Sequence, residues 1–207
     1  MKKNKTAKAV GVKHGDANVI KQAVEEVARL IEEGIRYAVK EEHSPPNASG
    51  VLRSVNLITE VRHKLSEEHG WTSKNSRGAS ISISPEKEKA LIIRSGNKYT
   101  GNPNASADQV STNNRKISKT ARAIHDGQSE LALTGGTELQ ILLYRCDKDE
   151  MRIEISTINE LDGETIKSLS NRECYTIDLG GRITKNERST IGEQEPIVEE
   201  IEVKRKI

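Results

Sequence analysis

The chain has 207 residues, a net charge of +2, and 33% hydrophobic against 31% charged residues. That balance excludes a uniformly basic polyanion binder, and no apolar run reaches the length of a membrane span. With no Phe, one Trp and four Tyr, the core must be built from Ile, Leu, Val and Ala, and recognition by stacking bases on aromatic side chains is disfavoured.

Met1 to Gly15 carries five Lys and no acid and reads as a basic arm. It has no apolar stretch, so neither a secretory signal nor an anchor is expected there. From Asp16 the residues Ile20, Val24, Val27, Ile31, Ile35 and Ala38 recur at helical spacing, with Asp16 as the expected N-cap. "SPPN" then stops the helix, because proline and the residue before it disfavour helical continuation. A second helix is predicted from about Ser49 to His69. Its apolar face is Val51, Val55, Ile58, Val61 and Leu65, its C-cap is Gly70, and Trp71 packs on its end.

The period next changes from 3.6 to 2. Ala79–Ser84 and Lys89–Ser95 read as a hairpin turning at Pro85. About Glu138–Cys146 and Met151–Ile158 read as a second hairpin, with "DKDE" as its turn. Cys174–Leu179 is a shorter candidate strand. Residues 180–197 look like a linker, and Val198, Ile201 and Val203 belong to an edge strand or extended tail. The expected fold is α+β: two N-terminal helices packed on an antiparallel sheet of four to six strands built from hairpins. The expected division is a flexible arm over 1–15, one domain over 16–180, and a linker with an extended strand or tail over 181–207.

Between the hairpins, Ser95 to Gly136 forms a long polar segment, a kind that is often functional. In "SGNKYTGNPN", Gly96 and Gly101 offer backbone amides to an anion, with Asn97, Lys98 and Asn102 as side-chain partners. The competing reading is a solvated turn, because Gly and Asn are turn formers. In "STNNRKISKTARAIH", Ser111 or Thr112 is placed to cap a short helix. Ile117, Ala121 and Ile124 share one face, while Arg115, Lys119 and Arg122 lie nearly opposite. Residues 94–122 hold six basic residues and one acid. Lys98, Arg115, Lys116, Lys119 and Arg122 are therefore the candidate nucleic-acid contacts, suited to phosphate.

Asp126, Glu138 and Gln140 form a D…E-x-Q spacing at a strand start, and Glu202 and Lys204 give an E-x-K. In this respect the chain loosely resembles restriction-endonuclease-like enzymes. The resemblance implies a Mg²⁺-dependent nuclease in which carboxylates hold the metal and activate a water. The competing reading is that these are solvent-facing strand positions.

No other motif indicates a metal or cofactor. His63 and His69 are six apart rather than four, and Cys146 and Cys174 have no CxxC partners. Two thiols far apart fit a reducing, cytoplasmic setting and free cysteines. The reading favours a cytoplasmic binding or accessory protein over an enzyme, with DNA or RNA as the first partner and no membrane. The alternative is a protein–protein subunit of a bacterial or phage assembly, pairing through sheet edges or as a homo-oligomer.

Overall fold

The structure is a computed structural model that describes residues 15–38, 43–76, 79–110, 121, 136–147, 149–162, 165–179 and 183–186. Helix α1 spans Gly15–Ala38 and α2 spans Ala48–His69. Strands β1 (Thr72–Ser76), β2 (Ala79–Ile83) and β3 (Lys89–Ser95) follow, and then a one-turn helix α3 (Ala107–Val110). Strands β4 (Glu138–Cys146), β5 (Glu150–Asp162), β6 (Thr165–Asp178) and β7 (Ile183–Asn186) complete the described elements. The fold is α+β, as the sequence pattern predicts.

The strands form one sheet in the order β1-β2-β3-β4-β5-β6-β7. Five neighbouring pairs are antiparallel; β3 and β4 are parallel, in register from Lys89↔Glu138 to Ser95↔Tyr144. This parallel pair departs from the all-antiparallel expectation, and its cause is topological. A parallel neighbour can be reached only if the chain crosses back over the sheet, which takes a dozen or more residues. The polar segment after Ser95 supplies that length.

Alternation sorts the apolar side chains of the strands onto two faces. Leu91, Ile93, Leu142, Tyr144, Met151, Ile153, Ile155, Tyr175 and Ile177 face the helices. There they join Ile20, Val24, Val27, Leu57, Val61, Leu65 and Trp71 in one core cluster. Ile81, Ile83, Ala90, Ile92, Leu139, Ile141 and Leu143 face the other way, where Ala105, Val110 and Ala121 cover them. The described part of the segment, 96–110 with Ala121, thus packs on the face that the helices leave open.

The helix boundaries show both success and correction. Gly70 adopts φ +68, and the amides of Gly70 and Trp71 close on Ser66 and Leu65 carbonyls at 3.1 Å. That is the expected glycine cap, with Trp71 buried behind it. Asp16 is not an N-cap, since α1 already begins at Gly15. On α2 the buried residues are Leu57, Val61 and Leu65, whereas Val51 and Val55 are 52% and 57% exposed. The i,i+4 pattern gave the right helix but placed its buried stripe about one residue off at the N-terminal half.

Strand β1 lies outside the predicted elements, because "TSKNS" has no apolar residue to mark it; among the described strands it pairs with β2 alone. Strand β6 is fourteen residues long, and the short strand expected near Cys174 is its second half. Its first half pairs back on β5 from Asp162↔Thr165, a pairing outside the predicted elements. Strand β7 lies inside the stretch expected to be a linker.

Candidate functional site

The long polar segment leaves β3 at Gly96, whose amide donates to the Tyr144 carbonyl at 2.7 Å. A succession of turns follows. The amides of Thr100, Asn102 and Ala105 donate to the carbonyls of Asn97, Tyr99 and Asn102, each at 3.1 Å. Asn97 and Asn102 brace these turns from their side chains: Asn97 Oδ1 accepts from the Tyr99 amide at 2.9 Å, and Asn102 Oδ1 from the Asn104 amide at 3.0 Å. At Ser106 the chain enters α3 through a reciprocal cap. Ser106 Oγ accepts from the Gln109 amide at 3.4 Å, and Gln109 Oε1 accepts from the Ser106 amide at 2.9 Å.

Two glycines make this path possible. A Cβ on Gly96 would lie 1.9 Å from Thr100 Oγ1, and Thr100 is fully buried. Gly101 sits at φ +75, where a side chain is strained, and a Cβ there would lie 3.0 Å from Arg152 Cβ. Both glycines are close-approach positions where the loop meets itself and the sheet.

Under the loop lies a buried ion pair. Glu154 of β5 is completely inaccessible, and the Arg172 side chain of β6 is 10% exposed. Arg172 Nε donates to Glu154 Oε1 at 2.7 Å, and Ser156 Oγ donates to the same oxygen at 3.0 Å. Glu154 Oε2 accepts from the Gly101 amide at 3.3 Å. Arg172 Nη2 donates to the Asn102 carbonyl at 3.2 Å, and Nη1 donates to the Ala105 carbonyl. Burial lowers the Arg172 pKa, but the bond to Glu154 and its charge outweigh that, and the net shift is upward. The guanidinium stays charged.

The amides expected to cradle an external anion are therefore used inside the protein. Gly96 bonds Tyr144, and Gly101 bonds Glu154. Lys98 is exposed at the outer rim, with its Nζ 5.0 Å from the centre of the Tyr99 ring. Of the other candidate contacts, Arg115, Lys116, Lys119 and Arg122 lie outside the described residues. Ala121, which stands among them, is helical and fully buried against the same cluster as Ala105 and Val110.

Of the E-x-Q positions, Glu138 and Gln140 share one face of β4. Gln140 Nε2 donates to Glu138 Oε1 at 3.0 Å, and Thr157 Oγ1 of β5 donates to the same oxygen at 2.7 Å. Gln140 is buried rather than solvent-facing, and its Oε1 has no partner among the described residues. Asp126 lies outside the described residues, as do Glu202 and Lys204. Among the described residues, no three His, Cys, Asp or Glu side chains group as a metal site would require.

A further polar cluster joins the helices to the sheet. Arg53 of α2 grips Glu32 of α1 through Nε and, at 2.9 Å, through Nη2; Cys146 Sγ lies 3.8 Å from Glu32 Oε1. Burial pushes the Cys146 thiol up to about 12, with the Arg53 charge working against it. A thiol held protonated is a poor nucleophile. Neither cysteine is in a disulfide. Alternation puts Cys146 on the helix face and Cys174 on the other, with β5 between their strands.

Compared with known proteins, the chain matches no family model, no curated protein and no solved structure. Among the described residues, no helix is long and apolar enough to cross a membrane.

Proposed function

We propose that the chain is a binding protein that contacts nucleic acid or another polyanion through the outer side of its crossover, from Lys98 to Arg122. The observation that carries this reading is the burial of Ala121 beside Ala105 and Val110. Ala121 belongs to the apolar set Ile117, Ala121 and Ile124. In the sequence, helical spacing separates Arg115, Lys119 and Arg122 from that set by about 200°. The loop contributes Lys98 from a backbone fixed from below. Two thiols outside any disulfide fit a cytoplasmic setting for this role.

Fluorescence anisotropy with duplex and single-stranded oligonucleotides over a salt series tests the reading. Affinity should fall steeply between low and moderate salt, because released counterions drive such binding. No binding of either oligonucleotide at low salt removes it.

A protein partner is the second reading, favoured by the exposed Leu30, Val51 and Val55 on the two helices. Sedimentation velocity tests self-association: a monomer at all concentrations, together with an empty pull-down, counts against it.

A further inference from the structure

We infer that Glu154 and Arg172 are positioning residues, which set the conformation of the 96–105 loop rather than the stability of the sheet. The inference deepens the polyanion reading, because that loop carries Lys98.

A buried ion pair gains little over a well-packed apolar pair, since desolvating both charges offsets their attraction. Packing alone therefore gives no reason for charges in the middle of β5 and β6. Their remaining contacts do. Apart from Ser156, each further hydrogen bond of the pair described above goes to loop main chain. Glu154 takes the Gly101 amide, and Arg172 takes the carbonyls of Asn102 and Ala105. Gly101 and Ala105 are buried, so these backbone groups need partners from within the protein. Only a side chain with several donors in a fixed fork can serve two carbonyls and a carboxylate together. The pair binds the loop backbone as a receptor binds a peptide.

Amide hydrogen exchange on the full chain tests this, with wild type beside the double variant Glu154→Leu/Arg172→Met. The double variant should melt within a few degrees of wild type. Protection over 96–105 should fall by about tenfold or more, while β4 keeps its protection, as expected when one segment opens locally. Unchanged loop protection, or an equal loss across β3, β4 and β5, overturns the inference.

Arg172→Lys is the second variant, and it decides the matter if the double variant does not fold. It keeps the charge beside Glu154 but lacks the fork that reaches Asn102 and Ala105. The loop should lose protection and the strands should not; a loop as protected as in wild type sinks the inference. Both variants are also titrated with a single-stranded oligonucleotide. A wild-type chain that binds neither this nor a duplex oligonucleotide at low salt removes the polyanion reading, and the exchange result alone then decides the role of the pair.

Discussion

The Gly101 amide donates to Glu154 Oε2 across 3.3 Å, so the anion that this glycine loop faces is one the chain itself carries. A Gly/Asn-rich run after a strand has the composition of an external anion cradle. Here the same chemistry closes the loop onto the sheet. On the outer rim of the loop Lys98 is exposed.

Removing one member of the buried pair should be far worse than removing both. Glu154→Ala leaves Arg172 charged and enclosed and should cost about 3–5 kcal/mol. The double apolar variant should stay within about 1 kcal/mol of wild type by the same principle. Urea denaturation of both proteins measures the contrast.

Gly96→Ala should destabilise by about 1–3 kcal/mol, an overpacking cost. The new methyl would meet Thr100, which is buried and has no room to turn away. Gly34→Ala is the control, because a Cβ there meets nothing within 4 Å. It should be neutral or slightly stabilising in a helix. Thermal melts of the two variants give the comparison.

On α2, Leu57→Ala should cost about 2–5 kcal/mol because it empties a fully buried site. Val55→Ala should change stability by less than about 0.5 kcal/mol, since Val55 is exposed. Equal losses in the two denaturation curves would mean that the helix is rotated from the position described.

Stability should fall in alkaline solution. The Cys146 thiol is raised from 9.0 to about 12, and burial raises the hydroxyls of Tyr144 and Tyr175 as well. A raised acid holds its proton longer in the folded chain than in the unfolded one. Its stabilising contribution is complete below the unfolded value and is lost as pH climbs toward the folded one. Denaturation midpoints should drop between about pH 9 and 12, and Cys146→Ala should flatten part of that slope. Iodoacetamide at pH 8 should label Cys146 slowly until the chain unfolds.

If the outer rim contacts phosphate, Lys98→Ala should weaken oligonucleotide binding for all sequences alike. It should also lower the slope of log affinity against log salt by about 1, one contact fewer. A salt slope identical to wild type would take Lys98 out of the interface.

Local pattern in the sequence determined the elements with a regular apolar pattern. The 3.6-residue period of α1, the apolar runs of β2 to β5 and the glycine after His69 each encode a structure through short-range rules. Strand β1 escaped because its side chains are all polar and its identity lies in backbone pairing with β2. The stripe on α2 was misplaced because local spacing does not say where a neighbouring helix and sheet end. The candidate site was legible only as composition. That "SGNKYTGNPN" is a loop could be read from its turn formers, and that Lys98 is exposed followed from its charge. Which anion Gly101 faces could not be read, because Glu154 and Arg172 lie more than fifty residues away on strands of their own. Only the tertiary structure decided that: on the sheet face opposite the helices, a buried carboxylate and guanidinium meet the backbone groups that the loop after β3 could not leave unpaired.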